Sequence, residues 1–144
     1  MSHKSSFIDD QRGAVAFETM IVYIFLVASL LMPLADVAAA GFRFISAWAA
    51  LRGFGQYLQY NAPPDLTNAS SWASSARAKA DPSFPISSIQ VLCGDSNAVC
   101  SAGNLNSPKY YSYTTTVTLA PIVLRSVLCP SSCTYTLSYS ERFQ

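Results

Sequence analysis

Residues 12–40 read RGAVAFETMIVYIFLVASLLMPLADVAAA and contain the longest apolar run of the chain. Beyond its first residue it holds only two charges, Glu18 and Asp36. As a helix, residues 14–35 would extend about 33 Å, which is enough to cross the hydrocarbon core of a bilayer. The sequence therefore predicts a transmembrane helix. Glu18 lies inside it, where a carboxylate costs about 3 kcal/mol at mid-bilayer unless it is paired or close to the interface.

The helical pattern continues beyond the apolar run. Four large apolar residues recur at helical spacing: Phe44, Trp48, Leu51 and Leu58. One helix is therefore predicted from residue 14 to about Tyr60, with Pro63 and Pro64 ending it. We expect Pro33 to kink this helix, because the proline ring removes a backbone donor and crowds the preceding turn. Three glycines are expected to weaken it further: Gly41, Gly53 and Gly55.

The following segment predicts a second, short helix over residues 69–80, capped by Thr67 or Asn68. Strand patterns follow in three segments: 86–93, 110–119 and 134–143. The middle strand is the clearest, because Tyr and Thr alternate along it and place Tyr111, Tyr113, Thr115, Val117 and Leu119 on one face. We expect a loop over residues 94–107. Residues 120–128 are apolar and predict either a buried crossover or an exposed contact patch.

These elements define an α+β fold: a long N-terminal transmembrane helix, kinked near Pro33, and a small domain with a short helix and about three antiparallel strands. With 144 residues, the chain has room for one modest domain beyond the helix. Its net charge of +1 and charged fraction of 12% give no basic patch, so we expect no nucleic-acid partner.

All four cysteines lie downstream of the apolar run: Cys93, Cys100, Cys129 and Cys133. Their even number favours disulfides, and hence an oxidising compartment outside the cytosol for the domain. Of the three possible connectivities, the two local pairings suit the turn residues between the cysteines, although the sequence leaves the choice open. The spacings C-x6-C and C-x3-C do not match the tight knuckles of zinc sites, so no metal is expected.

Residues 12–18, RGAVAFE, resemble the processing site of type IV pilins. Together with the long helix and a tail containing VTLAP and LSYSERF, they are similar to the TadE-like minor pilins, or pseudopilins, of the tight-adherence (Tad/Flp) system. The resemblance implies that a prepilin peptidase cuts between Gly13 and Ala14. It divides the chain into a leader (1–13), a pilin-like helix (14–62) and an extracytoplasmic domain (63–144).

The same resemblance implies a role in assembly or initiation of an adhesive pilus. The expected partners are other pilin or pseudopilin subunits, the prepilin peptidase, the inner-membrane assembly platform and membrane lipid. The expected location is the bacterial inner membrane, crossed once with the domain outside the cytosol, or the pilus itself. Glu18 would pair with the amine of Ala14 in a neighbouring subunit, which offsets two charges that are costly in lipid. Five small residues would let helices approach closely: Ala28, Ala35, Ala38, Ala39 and Gly41.

The alternative function is a signal-anchored or secreted disulfide-containing binding domain that is unrelated to pili. Residues 38–40 are three alanines and fit a signal-peptidase site, which would leave Gly41 as the first residue. An enzyme is not expected, because the only histidine is His3 in the predicted leader and the acidic residues show no pairing pattern. No sequence feature predicts a cofactor.

Overall fold

The structure, a computed structural model, describes residues 11–144 and the side chains from Val15 onward. Most of the predicted leader, residues 1–10, lies outside the described residues. A helical segment opens the chain: helix α1, Gln11–Leu26, leads through a π-helical turn, Val27–Leu31, into helix α2, Met32–Tyr60. A short helix and an antiparallel sheet follow, so the predicted α+β architecture is confirmed.

The π-helical turn lies immediately before Pro33. There the Met32 N–H donates to the Val27 carbonyl, five residues back instead of four. Pro33 has no N–H of its own, and its ring would crowd the carbonyl of Ser29, so a widened turn accommodates it while the chain stays helical. The irregularity thus falls where the sequence predicted one, although the kink itself stays a prediction.

Helix α2 ends where the sequence predicted. Asn61 leaves the helical conformation, with φ of −128° and ψ of 57°. Its amide Nδ2 donates to the Tyr57 carbonyl at 2.9 Å, which satisfies one of the free carbonyls of the last turn. Its own carbonyl accepts a 2.7 Å bond from Trp72 Nε1, which ties the helix end to the next helix.

Helix α3, Ser70–Arg77, is shorter than the predicted 69–80, and the predicted cap was wrong. Ala69 is its N-cap and makes no side-chain bond. Thr67 lies instead in a turn in which its N–H and its hydroxyl donate to Asp65 Oδ1, at 2.8 and 2.7 Å, and the Asn68 Oδ1 accepts from the Ser70 hydroxyl at 3.0 Å. The local turn around Asp65 therefore competes with the cap for the same residue.

The sheet has four antiparallel strands in the order β2-β1-β3-β4. They are β1, Ile86–Cys93; β2, Ala98–Val99; β3, Lys109–Thr118; and β4, Thr134–Arg142. The prediction of about three strands missed β2, a two-residue strand inside the predicted loop 94–107. A fourth helix, α4, Arg125–Leu128, lies in the connection between β3 and β4 and was also not predicted.

The two faces of the sheet differ in chemistry. The predicted alternation on β3 is confirmed: Tyr111, Tyr113, Thr115 and Val117 are buried and face α2. The opposite face is a ladder of hydroxyls on β3 and β4, formed by four cross-strand pairs: Ser112 with Ser140, Thr114 with Ser138, Thr116 with Thr136, and Thr118 with Thr134.

The core lies between the upper half of α2 and the sheet. Four residues of α2 supply it at helical spacing: Ala47, Leu51, Phe54 and Leu58. The predicted stripe was one position off at its lower end, because Ala47 is fully buried whereas Trp48 is 41% exposed. Trp48 instead packs edge-on against Tyr139, with ring centroids 5.8 Å apart.

Candidate functional site

The lower half of the long helix, residues 15–35, has an exposed apolar surface, and residues 36–60 are its upper half. Large side chains point outward all round it, including Phe17, Tyr23 and Phe25, each about two-thirds exposed at 65%, 68% and 69%. The most apolar 18-residue window of the helix has a mean hydropathy of 2.2, and 6% of it is buried by the rest of the chain. By length and composition this helix can cross a membrane, and the domain does not cover it.

Glu18 lies on this exposed surface of α1. The predicted cleavage positions, Gly13 and Ala14, also fall within α1, so the helix runs through the junction without a break. Residue 14 lies four positions before Glu18, one helical turn away on the same face. The helix thus sets the carboxylate and the predicted new amino terminus on one side of the molecule.

The small residues named above are also on the surface. Ala28, Ala35, Ala38, Ala39 and Gly41 are all exposed, and a Cβ placed on Gly41 would meet nothing within 4 Å. The domain therefore buries none of the five, although Ala39 borders a cavity that Leu119 and Pro121 also line.

Asp36 joins the helix to the domain, and sequence reasoning missed this role. Its side chain is 6% exposed. Three consecutive backbone N–H groups donate to its carboxylate: Ile122 at 3.0 Å to Oδ1, Val123 at 2.7 Å and Leu124 at 2.9 Å to Oδ2. Successive N–H groups of this kind form a concave anion-binding nest. The only sequence signal is a lone carboxylate directly after the apolar run, because backbone donors carry no residue signature.

Asp36 fixes the position of residues 120–128, whose role the sequence left open. The segment is exposed: Ile122 is 85% exposed, Val127 69% and Val123 44%. Its far end is held by the Tyr135 hydroxyl, which donates to the Leu128 carbonyl. Of the two predicted alternatives, the buried crossover is wrong, and the segment is an exposed apolar patch.

A polar cluster locks the upper half of α2 onto the sheet. The Tyr113 hydroxyl donates to the Leu51 carbonyl at 3.1 Å, and Gln59 Nε2 donates to Glu141 Oε1 at 2.6 Å. A Cβ on Gly55 would collide with Tyr113 Oη and Glu141 Oε2, so only glycine permits this approach. Burial, together with the nearby Glu141 carboxylate, raises the pKa of Tyr113 above its usual value.

Both cysteine pairs form local disulfides. Cys93 bonds to Cys100 and Cys129 bonds to Cys133, with Cα–Cα distances of 5.0 and 4.7 Å. The first closes the β1–β2 turn at the upper end of the sheet, and the second closes the end of the β3–β4 connection. The prediction of disulfides is confirmed, and the local connectivity is the one of the three that forms.

Across residues 11–144, no group of three or more His, Cys, Asp or Glu side chains is placed to hold a metal ion. The fold and the junction at Asp36 define a class: a disulfide-braced α+β domain carried on one apolar helix that is compatible with membrane anchoring. No protein-family model, characterised protein or solved structure matches the chain.

Proposed function

We propose that the protein is a minor pilin or pseudopilin that takes part in the assembly or initiation of a Tad/Flp pilus. The observation that carries the proposal is the division of one continuous helix. Its lower half is apolar and exposed and has Glu18 as its only charge, whereas its upper half packs into the core of a small domain. A subunit that must first lie in a membrane and then pack side by side with its copies needs this division.

The position of Glu18 supports the same proposal. An exposed carboxylate on an apolar helix is costly in lipid unless it is paired or lies close to the interface, and a partner subunit can supply the pairing. Cleavage after Gly13 would create a positive amine at Ala14, close to Glu18 along the helix. Pairing between neighbouring subunits would remove both charges from lipid and would fix the axial stagger between the helices.

The junction at Asp36 weighs against a signal-peptide function. A cut after Ala40 would remove Asp36 and leave the N–H groups of residues 122–124 without their acceptor. Ala40 itself packs against the lower core beside Val117 and Leu119. A leader that is removed has no reason to supply part of the domain's packing, so these contacts favour a helix that remains intact in the mature protein.

In this function the helix would anchor the protein in the bacterial inner membrane, with the domain on the outer side, where disulfides form. The prepilin peptidase and the assembly platform of the inner membrane would be its first partners, and other pilin subunits would follow through the lower half of the helix.

The mature N-terminus tests the proposal. We expect co-expression with a Tad-system prepilin peptidase to yield an intact mass that lacks residues 1–13, with Ala14 first, and expression without the peptidase to retain them. A Gly13→Leu variant should stay uncut, because a large side chain replaces the residue at the scissile bond. The matched Ala38→Leu variant alters the alanines of residues 38–40 at an exposed position and should be cut as the wild type is.

Two results would contradict the pilin function. A mature chain that begins at Gly41 would identify a signal peptide. A chain that keeps its leader in the presence of the peptidase would leave only a signal-anchored binding domain.

A further inference from the structure

The connection between β3 and β4, residues 119–133, lies at the end of the domain that faces the lower half of the helix. Strand β3 runs antiparallel to α2, toward the lower half of the helix. Tyr113 packs on Phe54 with ring centroids 5.2 Å apart, whereas Val117, four residues later, packs beside Ala47. The chain then reaches Asp36, whose carboxylate holds residues 122–124. Strand β4 begins its ascent at Thr134.

Asp36 fixes the position of this connection along the helix axis. It is the first residue after the apolar run 14–35, so it marks the place where a membrane-spanning helix would leave the hydrocarbon. The nest bonded to it lies at the same level. The apolar surface of the helix continues up to this point, with Leu34 62% exposed and Val37 50% exposed.

The chemistry of the connection fits the membrane interface. Three of its branched apolar side chains, at positions 122, 123 and 127, are exposed, and they sit on a backbone that is held at both ends. The sequence of residues 119–133, LAPIVLRSVLCPSSC, contains no carboxylate and one charge, Arg125, which is exposed. Apolar side chains beside an isolated cation suit the boundary between acyl chains and polar headgroups.

We propose that the β3–β4 connection inserts Ile122, Val123 and Val127 into the outer leaflet of the bilayer in which the helix is anchored. The proposal rests on the proposed membrane anchoring and adds a second contact with lipid. A second copy of the chain is the poorer occupant, because three side chains offer far less than the roughly 1,200 Å² that a stable protein interface buries. With two contacts, the domain would be held at a fixed angle on the membrane surface.

Tryptophan scanning of the full chain in liposomes tests this contact. Ile122→Trp and Val127→Trp each place a fluorophore at an exposed position on the patch. Val99→Trp is the matched control, because Val99 is 57% exposed and lies on β2 at the other end of the sheet. The ten residues of β3 separate the two ends by about 30 Å. Subtracting the wild-type spectrum removes the emission of Trp48 and Trp72.

We expect the added emission of Ile122→Trp and Val127→Trp to be blue-shifted and quenched by phospholipid brominated high on its acyl chains. Val99→Trp should be neither shifted nor quenched. Flotation of the same samples with the liposomes reports on the anchor separately. Floating protein whose patch tryptophans are not quenched would overturn the insertion and leave the proposed anchoring intact.

Two further results would also overturn the inference. Protein that does not float would lack the anchor on which the insertion depends. A blue shift that appears only at a high protein-to-lipid ratio, without bromine quenching, would assign the patch to a second copy of the chain. The two patch variants are independent, so a failure of one to fold leaves the other to decide.

Discussion

The lower and upper halves of the N-terminal helix are both rich in apolar residues but differ in how those residues are distributed. In the upper half, buried residues follow one stripe, and Ala47, Leu51 and Leu58 have no exposed surface. In the lower half, apolar side chains point in every direction and stay uncovered. A stripe needs one partner on one side, which the sheet supplies. A helix that is apolar all round needs an apolar environment on every side, such as lipid or a bundle of other helices.

The largest expected difference between the halves concerns two leucines. Leu51 is fully buried, whereas Leu31 is 53% exposed. Leu51→Ala should lower the free energy of unfolding of the domain by about 2–5 kcal/mol, because it empties part of the core. Leu31→Ala should change it by less than about 0.5 kcal/mol. Denaturant titration of both variants in the same detergent, followed by near-UV circular dichroism, makes the comparison, and equal losses would contradict the division of the helix.

The glycines of the upper half provide a sharper contrast within one helix. Gly55→Ala should lower the free energy of unfolding by about 1–3 kcal/mol, because the new methyl group displaces Tyr113 and Glu141. Gly53→Ala meets nothing within 4 Å. It should stabilise the domain by about 0.5–1 kcal/mol through its higher helix propensity. Midpoints of thermal unfolding should therefore move in opposite directions, and a shift of the same sign in both variants would place the contact between helix and sheet elsewhere.

A smaller effect separates two buried tyrosines. Tyr113→Phe should lower the free energy of unfolding by about 1 kcal/mol, because the bond to the Leu51 carbonyl is lost. Tyr111→Phe should be neutral or stabilising. The Tyr111 ring stacks on Phe143 with centroids 4.0 Å apart, and among the described residues its buried hydroxyl has no hydrogen-bond partner. Denaturant titration at pH 7 compares the two variants, and a larger loss in Tyr111→Phe would contradict the assignment.

Tyr111 also makes the stability of the folded domain depend on pH in the alkaline range. Burial raises the pKa of Tyr111 to about 12, from 10.0. The folded state therefore favours the neutral hydroxyl: below pH 10 the hydroxyl is neutral in both the folded and the unfolded state, and as the pH rises toward 12 ionisation in the unfolded state lowers the free energy of unfolding. In a pH titration of unfolding, Tyr111→Phe should lose less stability over this interval than the wild type, and identical slopes would be inconsistent with the shift.

The smallest expected change in domain stability belongs to Glu18. Glu18→Gln should leave the unfolding midpoint and membrane flotation unchanged, because the side chain is exposed on the lower half. Under the proposed function it should still abolish co-purification with the partner pilins, since the neutral amide cannot neutralise an amine. Asp95→Asn, at an exposed turn of the domain, serves as the matched control and should co-purify normally. Normal assembly of Glu18→Gln would contradict the pairing.

The fold was predicted correctly where a local pattern of residues determines which side chains are buried or where a helix ends. The alternation of β3 correctly assigned its buried face, and the proline pair correctly placed the end of α2. Gly41, Gly53 and Gly55 all looked like helix-weakening residues, yet only Gly55 lies against the sheet, where it is required. Which glycine faces a partner depends on the rotation of the helix against a surface that forms from distant strands.

Two features that the sequence did not predict, the role of Asp36 and strand β2, both depend on hydrogen bonds to backbone groups. Asp36 binds three N–H groups that any residues other than proline at 122–124 would present. Strand β2 is held by main-chain pairing, and the Cys100 N–H that follows it donates to the Val91 carbonyl at 2.9 Å. Such contacts depend on chain geometry and leave no signature in residue type, so the junction between helix and domain became visible only in three dimensions.

The hydroxyl ladder on the outer face of the sheet gives that face a hydrogen-bonding capacity that depends little on pH or ionic strength. Ser and Thr side chains donate and accept hydrogen bonds but do not ionise across the physiological pH range. Contacts made through this face would depend little on ionic strength, because screening acts on charges. The outer face therefore presents the same hydrogen-bonding surface in fresh water, in brine and in mildly acidic surroundings, where surfaces rich in carboxylates or histidines change their charge.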